Sequence, residues 1–147
     1  GDPHHHCRCT PDKVERYRSR ISGPLLDRID MHVAVQPVPA KLLTHPDKAE
    51  TSATVRERVI EARKIQAKRQ NCCNAELSGG ELERYCQLTD GDKDYLYQTL
   101  SRLNFSARAY HRILRVARTI ADLAHSPAVK RPHLAEAISY RNLDRNS

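Results

Sequence analysis

Residues 106–123 read SARAYHRILRVARTIADL, and this stretch decides the fold. Ala109, Ile113, Ala117, Ile120 and Ala124 recur at close to helical spacing. One apolar stripe therefore runs along a long helix, which Ser106 can cap and which is expected to reach about His125. Such a stripe needs other apolar faces to cover it, and the flanking sequence supplies them. Ser78 and Glu81 form a capping box ahead of Leu82, Tyr85 and Cys86. Thr89 and Asp90 open a second helix with Leu96, Leu100 and Leu103 on one side. Pro132 stands near the start of a last helix whose inward residues are Leu134, Ala137 and Ile138. Residues 71–147 are thus expected to form a helical bundle.

Upstream the pattern changes. A helix is expected from Ser52 or Thr54 to about Arg69, with Glu57 completing a capping box from Thr54. Its shared face, Val55, Val59, Ala62 and Gln66, is only weakly amphipathic, and Asn71 to Ala75 break it. Pro37, Pro39 and Pro46 mark residues 37–50 as a linker. Pro11 and Asp12 suit the start of a short helix over Val14 to Arg20, which Gly23 and Pro24 interrupt. Met31, Val33 and Val35 alternate with His32, Ala34 and Gln36, the period of a strand. A lone strand cannot satisfy its own edges, so the expectation is a piece of a larger protein whose remaining sheet lies upstream. Three segments follow from this division: 1–36, 37–70 and 71–147.

Composition agrees with a thin, mainly helical core. Of 147 residues, 39% are hydrophobic and 29% charged, with no Trp and a single Phe, which is poor material for a β-sandwich. The net charge of +7 favours a polyanionic partner, either nucleotide phosphates or nucleic acid. No apolar run approaches membrane-spanning length and no signal peptide opens the chain. Five cysteines at irregular spacing do not make a secreted disulfide framework, so a cytoplasmic setting is expected.

The chemistry centres on arginine. None of the five glycines is followed by lysine, so no phosphate-binding loop of the G-x-x-x-x-G-K-[ST] type exists, and no Ser–His–Asp ordering or H-E-x-x-H is present. Arg28 stands between Leu25–Leu26 and Ile29, and local chemistry alone makes it a surface pair with Asp27 or Asp30. Arg108, Arg112 and Arg115 lie at i, i+4 and i+7, on one face with no acid until Asp122. Left to itself such a face is solvated, although four arginines within eleven residues repel one another and an anionic partner would relieve that cost. Two readings stay open on these residues: a nucleotide-responsive element, or a stand-alone basic helical module that binds DNA through Arg108, Arg112 and Arg115.

Together the segments CRCTPDKVERYRSRISGPLLDRID (7–30), FSARAYHRILRVARTIADLA (105–124) and HLAEAISYR closely resemble the C-terminal part of the Mg-chelatase-like AAA+ ATPases of bacteria, the ComM and YifB family. NAELSGGELERYCQL also resembles that family's first lid helix. The resemblance implies a mainly α chain: the helical lid bundle of an AAA+ module, preceded by the last helix–strand piece of the α/β ATPase core. It implies that Arg28, in LLDRID, is an arginine finger acting in trans on a neighbouring subunit, and that Arg108, in SARAY, is the sensor-2 arginine of the lid. Arg112 and Arg115 become candidate phosphate or nucleic-acid contacts. ATP and Mg²⁺ are expected as cofactors of the full-length protein, bound by residues upstream of Gly1, with little binding to this segment alone. The implied partners are that upstream half, further copies in a hexameric ring, and DNA, with no membrane. A motor subunit that remodels a chelatase-type partner is the further alternative.

His4, His5, His6, Cys7 and Cys9 are dense in metal-ligand types. Cys7 and Cys9 are the zinc candidates, although C-x-C spacing is shorter than known fingers use, and the family commonly adds a second Cys pair upstream.

Overall fold

The computed structural model describes residues 9–35 and 49–141. Seven α-helices are found among them: α1 Pro11–Arg18, α2 Gly23–Leu26, α3 Ser52–Gln70, α4 Gly79–Tyr85, α5 Asp90–Arg102, α6 Ala107–Leu123 and α7 Arg131–Ser139, with a 3₁₀ turn at Asn74–Glu76. The mainly α class expected from the sequence is observed. No strand occurs among the described residues, so the strand expected at Met31–Val35 is absent. Val33 and Val35 are exposed there, 62% and 87%, and no neighbouring strand takes their backbone groups.

The core collects around α6, which packs against α7, α3, α4 and the 3₁₀ turn, while α5 packs on α7. Ala109, Ile113 and Ala117 face inward as the stripe predicts, but Leu114, Val116 and Ala121 are buried as well. The helix is therefore enclosed on most sides rather than along one seam. Leu82, Leu96, Leu134 and Ile138 close over it, as their spacing predicts. Ala124 is not part of the stripe. The helix stops at Leu123 because His125 takes a left-handed φ of 52° and the Ser126 N–H bonds back to Ala121 O at 2.8 Å.

Local capping chemistry sets most boundaries. Glu81 accepts from Ser78 N–H at 2.8 Å, completing the expected capping box. Thr89 Oγ1 accepts from Asp92 N and Ser106 Oγ from Ala109 N. The cap of α3 is Thr51 rather than Ser52 or Thr54; its Oγ1 accepts from Thr54 N at 3.2 Å. Asn71, at φ 57°, ends α3 with its N–H on Ala67 O. Along α3 the expected face divides: Ala62 and Gln66 are buried, whereas Val55 and Val59 are exposed. Only the second half of α3 lies against the bundle.

A buried polar network ties α3 to α6. Asp122 is wholly buried and accepts from Arg69 Nη1 at 2.6 Å, Arg69 Nη2 at 2.9 Å, Asn74 Nδ2 at 2.9 Å and Arg118 Nε at 3.2 Å. Arg118 extends past it to the carbonyls of Ser126 and Pro127. Burial pushes the Asp122 carboxyl up, but the hydrogen bonds from Arg69 and Asn74 and the Arg118 charge outweigh it and hold the group below its ordinary value.

Candidate functional site

Three of the four arginines on α6 are consumed by the chain itself. Arg118 is buried on Asp122. Arg115 donates through Nε (3.2 Å) and Nη2 (2.7 Å) to the carbonyl of Leu77, which fixes the turn leading into α4. Arg112 forms an ion pair with Asp30. The repulsion expected among these side chains is thus relieved internally, by partners 38 and 82 residues distant for Arg115 and Arg112. Arg112 and Arg115 are therefore committed within the fold rather than displayed as a basic stripe.

Arg108 is the exception. It occupies the second position of α6, is exposed, and makes no hydrogen bond or ion pair among the described residues. It borders a cleft of about 320 Å³ whose other walls include Pro24, Asp27, Asn104, Phe105 and Ser106. The first-turn N–H groups of α6 point toward the same end, where helix geometry favours an anion.

Arg28 lies just beyond α2 and is exposed. Its Nη1 donates to Pro24 O at 3.3 Å, and no carboxylate among the described residues pairs with it. The surface pair with Asp27 or Asp30 is not formed, because both acids turn toward the bundle. Asp27 accepts from Ser106 Oγ–H at 2.8 Å and lies 3.7 Å from Arg141 Nη2, while Asp30 takes Arg112. Arg141 Nη1 also donates to Ile29 O at 2.9 Å, and His32 N–H donates to Tyr140 O at 2.6 Å. The LLDRID segment is therefore pinned along one side of α6 and α7, with Arg28 left facing outward.

Two descriptions from the magnesium chelatase models fit this chain: "Magnesium chelatase, subunit ChlI C-terminal" over residues 49–141, and "Magnesium chelatase, subunit ChlI" over residues 1–43. The chain belongs to the Mg-chelatase family. It is 48% identical over 141 residues to the uncharacterized protein YifB of Salmonella typhimurium, and 47% identical over 141 residues to the competence protein ComM of Haemophilus influenzae. Each match takes in 95% of this chain and 28% of the relative. An uncharacterized protein of Mycobacterium tuberculosis is 35% identical over 139 residues, covering 92% of this chain and 27% of its own length. The chain thus spans little more than a quarter of the relatives it matches.

Cys7 and His4 to His6 lie outside the described residues, and Cys9 is exposed. Among the described residues no group of three or more His, Cys, Asp or Glu is placed to hold a metal ion. Among the same residues no helix is long and apolar enough to cross a membrane. Sequence patterning did not reveal the roles of Asp27, Asp30, Arg69 or Arg141. The available signal for Arg141 was its position closing HLAEAISYR, one of the stretches that carry the family resemblance.

Proposed function

We propose that this chain is the lid and arginine-finger portion of a ring-forming, ATP-driven motor that acts on DNA. Arg28 supplies the finger to a neighbouring subunit and Arg108 the sensor-2 contact to the nucleotide of its own. The observation that supports this is selective availability. On α6, Arg112, Arg115 and Arg118 are each taken up by a carboxylate or a carbonyl, whereas among the described residues Arg108 has no such partner and Arg28 meets only the Pro24 carbonyl and no carboxylate. A transferring γ-phosphoryl group spreads charge over its oxygens, and a planar, always-charged guanidinium stabilises that charge through two hydrogen bonds. In well-studied NTPases such a finger contributes about 10³–10⁵ in rate. ATP and Mg²⁺ would be held by residues outside this chain, which carries no phosphate loop of its own. The competing picture of a stand-alone DNA-binding stripe is weakened by the internal engagement of Arg112 and Arg115.

The test is Arg28→Ala in the full-length protein. Hydrolysis should be abolished with nucleotide binding largely intact, because a finger acts on the neighbour's transition state. Mixing that variant with subunits lacking their phosphate-loop lysine should restore some turnover, through sites that combine an intact pocket with an intact finger. Rings of Arg28→Ala that hydrolyse ATP at the normal rate would refute the assignment.

A further inference from the structure

The acids on either side of Arg28 have a use of their own. Asp27 meets Ser106, the N-cap of the helix that carries Arg108, and Asp30 meets Arg112, one turn beyond Arg108 on the same helix. Arg141, at the end of α7, grips the Ile29 carbonyl from the other side, and the His32 amide closes on Tyr140. Residues 27–32 are thus attached at both ends of a short span, from which Arg28 projects as the charged side chain beside exposed Ile29 and Met31.

We infer that Asp30–Arg112 is a latch, with Arg141 as its backstop, that makes the Arg28 loop move with α6. The inference rests on the finger and sensor assignments above. Arg112 and Asp30 are positioning residues: they touch no nucleotide, and they act by fixing where Arg28 stands. The mechanical consequence is direct. Arg108 and Arg112 are one turn apart on a single rigid helix, so a displacement of α6 driven by nucleotide at Arg108 carries Asp30 and Arg28 with it. A subunit's own nucleotide state then sets the reach of its finger into the next site. The pair is suited to a joint that must hold yet yield, since its side chains are 23% and 42% exposed rather than sealed in the core.

Three measurements test this together. In the isolated 147-residue chain, amide exchange at residues 29–32 should be slow in the native sequence and faster by ~10-fold or more in Arg112→Gln, with α5 and α6 unchanged. In the full-length ATPase, Arg112→Gln and Asp30→Asn should each lower kcat by ~10–100-fold with KM for ATP little changed, as expected when a reacting group is displaced by about 1 Å. The reversed pair Asp30→Arg with Arg112→Asp should recover most of that loss. Mixed with subunits that lack the phosphate-loop lysine, Arg112→Gln subunits should regain turnover in trans, which a merely misfolded lid would not do. If Arg28→Ala abolishes hydrolysis while Arg112→Gln and Asp30→Asn retain full kcat, the latch is overturned and the finger stands. If Arg28→Ala is itself without effect, the finger assignment fails first. Fast exchange at residues 29–32 in the native chain would overturn the docking whatever the activity shows.

Discussion

Asp122→Asn removes one charge and almost no volume, so it isolates the electrostatics of the α3–α6 joint. In the native chain the carboxylate takes four hydrogen bonds from Arg69, Asn74 and Arg118. Its two cationic partners differ in their freedom. The Arg69 side chain is 20% exposed and can turn toward water, but that of Arg118 is 1% exposed and cannot. The variant therefore leaves a guanidinium buried without its counter-charge, and one amide edge of Asn would present donors to donors. Breaking one side of such a pair costs about 3–5 kcal/mol. A domain of this size has roughly 5–15 kcal/mol in total. With about 4–8 °C lost per kcal/mol for a domain near 100 residues, the melting temperature should fall by ~12–40 °C. Thermal unfolding followed by circular dichroism at pH 7, with urea melts for the free energy, gives the number. A loss under ~1 kcal/mol, the value of an exposed pair, would refute the claim that this network holds α3 to the bundle. Replacing the charges together, Arg69→Met, Arg118→Met and Asp122→Leu, should recover part of the loss. The pH sign also follows. The folded carboxyl lies below its unfolded value near 3.8, so its contribution is complete above that value and is lost as pH falls through the folded one. The native chain should thus lose stability below about pH 4 more steeply than the variant.

Ser106→Ala removes both the α6 cap and the Asp27 contact and should cost ~1 kcal/mol in a urea melt, with an unchanged midpoint counting against the cap. His133 lies below its ordinary 6.5 because burial and the nearby Arg118 and Lys130 charges disfavour its protonated form. The unfolded chain takes that proton first, so stability should decline as pH falls below 6.5, and His133→Gln should flatten the slope between pH 6.5 and 5. Burial pushes the Cys86 thiol up to about 11, with the Arg118 and Arg69 charges only partly opposing it. At pH 8 only ~10⁻³ of it is thiolate. Iodoacetamide should therefore modify exposed Cys9 in the native chain and reach Cys86 only after urea, as mass spectrometry of the peptides would show.

What the sequence revealed was whatever is decided within a few residues. Helical period, capping boxes and proline at a helix start placed α4 to α7 and their inward faces, because each signal lies within one or two turns of the boundary it sets. Alternation misled at Met31–Val35. Apolar and polar residues do alternate there, but a strand is made by a partner, and none is present among the described residues. Two valines misled on α3 for a related reason. Val55 and Val59 share a face with Ala62, yet the bundle ends before it reaches them. The candidate site was half legible. Motif resemblance singled out Arg28 and Arg108, but the fate of Arg112 and Arg115 depended on Asp30 and Leu77, far away along the chain.

Along α6 the four arginines form a graded series, and the grading explains why one helix can be both a core element and a site. At its far end Arg118 is sealed in with Asp122 and fixes the helix to α3 and the following loop. One turn back, Arg115 holds the turn before α4 through a carbonyl. Arg112 holds Asp30 at a half-exposed surface, and Arg108 holds no partner among the described residues. The partners of Arg118 and Arg115 are both buried and that of Arg112 is half-exposed, so the contact nearest the N-terminus is the least costly of the three to release. A helix built this way stays anchored at one end while its other end is free to answer an anion. The side chains best able to respond are therefore those nearest the LLDRID loop, where a response can be passed on to Arg28.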